Sequence, residues 1–150
     1  MMIFDRTADD VENAKNIISE KVQKFETLTA EETETLERGT VTIYTLNRVE
    51  NKQQELYQAL NGMGYYNNLV ETKTWAYSQV FDEDDLKRIV NNNVKLRKSF
   101  YALSTSPRNA IAKYRFDEFN ALEKVLNDVS ENIEFTVNNY VECGSIECGG

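Results

Sequence analysis

The chain has no histidine and a single proline among its 150 residues. Lack of histidine removes imidazole-based nucleophile triads, imidazole acids and bases, and nearly all mixed His/carboxylate metal sites. One proline and six glycines are too few for a sandwich or barrel of many tight turns, and favour long helices. Two cysteines fall short of the four ligands of a structural zinc site. No apolar run approaches the ~20 residues that cross a bilayer. The start, Met1-Met2-Ile3-Phe4-Asp5-Arg6, lacks the basic flank and long apolar stretch of a signal peptide. We therefore expect no membrane insertion and synthesis in the cytoplasm.

What is present fits one globular domain: 41% of residues are hydrophobic and 28% charged, near the average for folded proteins. A domain of this length buries roughly 70% of its unfolded surface, enough for a core without metal or disulfides. Formal net charge is -8, which disfavours free nucleic acid as a partner. The charge is uneven: -5 over residues 1–40, +4 over 41–115 and -7 over 116–150. Such a pattern either neutralises itself within a bundle or favours head-to-tail or ring-like packing between copies.

Hydrophobic spacing predicts helices along most of the chain. Thr7 caps a first helix whose stripe is Val11, Ala14, Ile18, Val22 and Phe25. Thr29 and Glu32 form a capping box for a second, ending before Gly39. Residues 40–44 are β-branched and read as a connector or as the first turn of the next helix. Thr45 caps a third helix with Leu46, Val49, Leu56 and Leu60 on one face. A linker of roughly twenty residues follows, far longer than usual between helices. It carries Tyr65, Tyr66, Trp75, Tyr77 and Phe81, apolar groups costly to leave wet. Asp82 caps a fourth helix with Leu86, Ile89, Asn93, Leu96, Phe100 and Leu103. A fifth segment from about Phe116 carries Phe119, Leu122, Leu126, Val129, Ile133, Thr136 and Tyr140, the seam of a bundle or coiled coil. Gln53, Asn93 and Thr136 interrupt the seams, either as edge residues or as a buried polar layer that fixes register.

The dense acid runs Glu31-Glu32 and Asp82 to Asp85 fall at helix starts, where they balance the helix dipole. Gly62-Met63-Gly64 lacks the elements of a nucleotide loop and reads as a helix stop. Lys95, Arg97 and Lys98 beside Phe100 form the densest basic cluster. The segment Glu142-Cys143-Gly144-Ser145-Ile146-Glu147-Cys148-Gly149 repeats Glu-Cys-Gly. It reads as a tail docked on a neighbour, with a disulfide or a shared metal as alternatives.

Several motifs, taken in order, resemble a family encoded among the tail genes of phages and prophages of Gram-positive bacteria. They are Met2 to Thr7, Leu28-Thr29-Ala30-Glu31-Glu32, Thr45-Leu46-Asn47-Arg48-Val49, Gly64-Tyr65, Lys73-Thr74-Trp75, Asn93-Val94 with Leu96-Arg97, and Phe116 with Glu118, Asn120 and Glu123. The resemblance implies a virion structural protein of the tail tip, baseplate or fibre-attachment region, or its counterpart in a phage-tail-like bacteriocin. The alternative is a small acidic phage or prophage regulatory protein that binds a host protein.

The expected architecture is all-α: a bundle of about four helices over residues 1–140, a long aromatic linker, and a short extended tail over 141–150. The expected role is contact rather than catalysis, with no cofactor, no metal, no small-molecule substrate, and several copies joined to other tail proteins. Interface residues are expected among Trp75, Tyr65, Tyr66, Tyr77, Tyr140, Cys143, Gly144, Cys148 and Gly149, since large aromatics anchor interfaces.

Overall fold

The computed structural model describes residues 1–66, 68, 69, 71–100, 107 and 115–144, with backbone alone for 140–144. It is all-α, and among the described residues it contains no strand. The five helices of the described residues form two groups. Helices α1 (Ala8–Glu20) and α2 (Ala30–Gly39) make a hairpin; α3 (Ile43–Gly62), α4 (Glu83–Ser99) and α5 (Phe116–Gly144) make a bundle. Among the described residues, no helix is long and apolar enough to cross a membrane.

Local chemistry sets the helix starts. Thr7 and Asp10 exchange hydrogen bonds in one capping box, and Thr29 and Glu32 in another. Asp82 caps α4 through the backbone amide of Asp85 at 2.9 Å. The third helix starts earlier than the expected Thr45 cap. Thr42 is the cap, and the Thr45 hydroxyl accepts from the Thr42 amide at 3.3 Å. Thr45 thus closes the box, and Ile43 and Tyr44 form the first helical turn.

The hairpin departs from the sequence pattern at its tip. Helix α1 stops at Glu20, and a 3-10 turn at Val22–Lys24 follows. Lys24, Phe25 and Glu26 then donate to Lys21 O, Val22 O and Lys21 O at 3.0, 3.1 and 3.1 Å. An ion pair from Lys21 to Glu32 at 2.5 Å pins the turn to α2. Val22 and Phe25, expected on the buried stripe, are therefore exposed. At the hairpin base Gly39 lies against α1. A Cβ there would sit 2.1 Å from Asp10 O and 2.4 Å from Ala14 Cβ.

The three bundle helices run parallel. Early residues meet early residues: Arg48 bonds Glu123, and Glu50 bonds Arg88. Late residues meet late ones, with Tyr65 edge-on to Phe100 at 5.1 Å. A helix of this size is about 30 Å long, so each connection must return the chain to the starting end. That requirement explains the length of residues 63–82.

Leu46, Val49, Leu56, Leu60, Ile89, Leu96, Leu122, Leu126, Val129 and Ile133 fill the core, capped by Trp75. Each such aliphatic contributes about 1.5–3 kcal/mol when removed from water. Two of the seam interruptions form a buried polar layer. Gln53 Nε2 donates to Ile89 O at 2.8 Å and to Asn93 Oδ1 at 2.7 Å, and Asn93 Nδ2 donates to Leu122 O at 2.9 Å. One chain of bonds thus crosses all three helices. Thr136 is instead half-buried and donates to Asn132 O on its own helix at 2.8 Å.

Residues 141–144, expected to open the extended tail, are helical instead. Helix α5 continues to Gly144, because Val141 and Glu142 contain no breaker and glycine is the first residue suited to a helix stop. Residues 145–150 lie outside the described residues.

Candidate functional site

Carboxylates whose burial the sequence pattern did not indicate, Glu50, Asp85 and Glu123, organise the contacts between elements. Glu50 lies one turn beyond Leu46 on α3 and is fully buried. Its Oε1 accepts from Trp75 Nε1 at 2.7 Å and from Arg88 at 2.7 Å. Its Oε2 accepts from the Lys73 amide at 2.7 Å and from Arg88 at 2.5 Å. Asn47 adds a reciprocal pair: its Oδ1 accepts from Trp75 N at 2.7 Å and its Nδ2 donates to Trp75 O at 3.0 Å. One turn of α3 therefore straps residues 71–76 against the bundle.

Asp85 completes this cluster, accepting from Lys73 Nζ at 2.5 Å and Arg88 at 3.3 Å. Burial alone would raise its pKa, but these two cations outweigh burial and hold the carboxyl below its ordinary range. The Glu50 hydrogen bonds raise the Arg88 guanidinium correspondingly, against the opposing effect of burial.

A second cluster fastens the N-terminal arm. Glu123, fully buried on α5, accepts from Ile3 N at 2.6 Å, Arg6 at 2.6 Å and Arg48 at 3.0 and 3.1 Å. Asn120 exchanges bonds with the Arg6 backbone at 3.1 and 2.8 Å. On the same helix Asp128 is buried and ion-paired with Lys124. Charge repulsion or desolvation would make any of these acids costly alone; each is offset by cations or amides. Their donors are already committed to structure, so the clusters act as fasteners.

The expected interface residues separate. Trp75 is 4% exposed. It packs edge-on to Phe81 at 5.5 Å, and so serves the chain's own core instead of a partner. Tyr66 and Tyr77 project into solvent, and Tyr65 is half-exposed. The Tyr77 hydroxyl meets that of Tyr44 at 2.9 Å, and this bond raises the Tyr77 phenol above its ordinary pKa. Tyr140, Cys143 and Gly144 belong to the final turns of α5, and Cys148 and Gly149 lie outside the described residues.

Other exposed groups were not anticipated: Phe25 is 97% exposed, and Phe135 is 68% exposed beside a groove at the ends of α3 and α4. Tyr65, Phe100 and Phe135 supply the aromatic wall of that groove, with Lys98 on its rim. A second cavity lies at the hairpin base, lined by Val11, Val41, Phe116 and Phe119 with Arg38 and Arg115. Phe135 escapes a simple stripe reading because it falls between Ile133 and Thr136, on the flank of the seam. Among the described residues, no group of three or more Cys, Asp or Glu side chains is placed to hold a metal ion.

Comparison of the chain with family models, with characterised proteins and with solved structures finds no match in any of the three.

Proposed function

We propose that this chain is a structural adaptor of a phage-type tail, joining the baseplate or tail tip to a fibre. One observation supports the reading: several of the motifs behind the sequence resemblance are bonded to each other. The opening segment meets the last helix through Ile3–Glu123 and Arg6–Asn120. Asn47 meets Trp75, Arg48 meets Glu123, and Asn93 meets Leu122. Motifs scattered over more than a hundred residues thus meet in two buried clusters and one polar layer. The exposed aromatics left over supply anchors for other polypeptides.

The test is mass spectrometry of tail-like particles purified from the producing bacterium. The expected result is this polypeptide at a fixed copy number per tail. Its absence from intact particles overturns the reading. Removal of Cys143–Gly150 is expected to leave the helical domain folded while preventing its incorporation.

A further inference from the structure

Phe25 combines two features that folding alone does not favour. Its backbone lies in the left-handed region, at φ 58, where glycine or asparagine is the ordinary choice. Its ring is 97% exposed, at the tip of a turn held by three backbone hydrogen bonds and the Lys21–Glu32 ion pair. The result is a rigidly presented phenyl group. The surrounding stretch, residues 20–34, carries five acids against two lysines.

The groove at the other end of the bundle has the complementary chemistry. Tyr65 and Phe100 meet at 87°, and the exposed Phe135 lines the same groove. A phenyl ring entering there gains edge and face contacts with aromatic neighbours. Lys98 lines the rim, with Lys95 and Arg97 in the same two turns of α4.

The hairpin springs from the end where α3 and α5 begin, as the Arg6–Asn120 bonds show, whereas the groove lies where α3 and α4 finish. We propose that the hairpin tip of one copy docks in the aromatic groove of a second copy, with Phe25 as the inserted residue. A contact between two different patches is heterologous, and repeats into a ring or a filament. This inference rests on the assembly reading above and names one of its interfaces.

Sedimentation velocity of the purified full chain over a concentration series tests it. Wild type is expected to self-associate, more weakly as salt rises. Phe25→Gly is expected to weaken association by about tenfold or more, the effect of losing a strong anchor. Its melting temperature should stay level or rise, since glycine accepts this backbone freely. Phe135→Glu, at an exposed wall of the groove, is expected to abolish association from the other side. Each variant alone should be monomeric, while their mixture forms a heterodimer, since one keeps the groove and the other the tip.

A wild-type monomer at every concentration overturns the proposal. So does undiminished association of Phe25→Gly, or a mixture that fails to pair. A chain present in tail particles but monomeric in solution overturns this inference while leaving the adaptor reading in place. Absence from particles with self-association intact does the reverse.

Discussion

The indole Nε1 of Trp75 donates to the carboxylate of Glu50 at 2.7 Å, across 25 residues of chain, in a site from which water is excluded. The same carboxylate receives Arg88 and the Lys73 amide. A single acid thus joins two helices to the segment that covers them.

Replacing Glu50 with Gln should leave Arg88, in a mostly buried site, with only its longer contact to Asp85 at 3.3 Å to balance its charge. Breaking one partner of such a pair costs about 3–5 kcal/mol. Urea titration followed by circular dichroism measures the loss. Trp75 is the only tryptophan, so its emission reports the strap directly. A red shift at denaturant concentrations where helicity persists is the expected signature. Coincident transitions would show that the strap and bundle open together.

The polar layer supplies a second test. Gln53→Leu or Asn93→Leu alone leaves a buried polar partner unsatisfied, at a cost of about 1–3 kcal/mol each. The double variant should cost less than the sum, because the two groups satisfy one another at 2.7 Å. Strict additivity in a double-mutant cycle would mean that the pair is not coupled.

Gly39→Ala addresses the hairpin. The added methyl would sit 2.1 Å from the Asp10 carbonyl, backbone that can move only by separating α1 from α2. We expect a loss on the scale of overpacking, about 1–3 kcal/mol, confined to residues 8–39. Hydrogen exchange should quicken there and remain slow in α3 and α5. Uniform acceleration would show that hairpin and bundle unfold as one unit.

Acid should destabilise the fold in a defined window. Asp10 is held low chiefly by its hydrogen bond from the Thr7 backbone. Glu32 is held low by Lys21 and then by the Thr29 amide. Asp85 is held low because Lys73 and Arg88 outweigh burial. Ordinary values are 3.8 for Asp and 4.5 for Glu, so the unfolded chain takes up protons first as pH falls. The stability conferred is complete above those values and is lost as pH drops through the depressed folded ones. Denaturation midpoints between pH 7 and 2 should be level and then fall, and Asp85→Asn should remove part of the slope. A midpoint that rises on acidification would reverse the assignment.

Much of the helical framework could be read from side-chain type and spacing. The caps at Thr7, Thr29 and Asp82 are local chemistry, and so is the run of core leucines. The long linker signalled itself by length and by its large apolar groups, and Trp75 does cover the core. What escaped was determined at a distance. Glu50 and Glu123 look like surface acids until Arg88, Trp75, Arg6 and Arg48 arrive from 25 to 117 residues away. Phe25 looked buried because the stripe was extended beyond Glu20. The turn that exposes it depends on Lys21 reaching Glu32 on the next helix, a contact that helical periodicity does not encode. Thr42 was displaced by Thr45 as the expected cap because either threonine can fill that role, and only the bonds between them decide.

Parallel helices have a consequence for biosynthesis. An up-and-down bundle can zip neighbouring segments together as they emerge from the ribosome. Here Gln53 waits for Asn93, 40 residues downstream, and the N-terminal arm waits for Asn120, 114 residues beyond Arg6. The α1–α2 hairpin can mature on nearby contacts, and α3 can fasten the strap and α4 once those segments are made. The bundle stays incomplete until α5 is made, and closure then locks the N-terminal arm onto that helix.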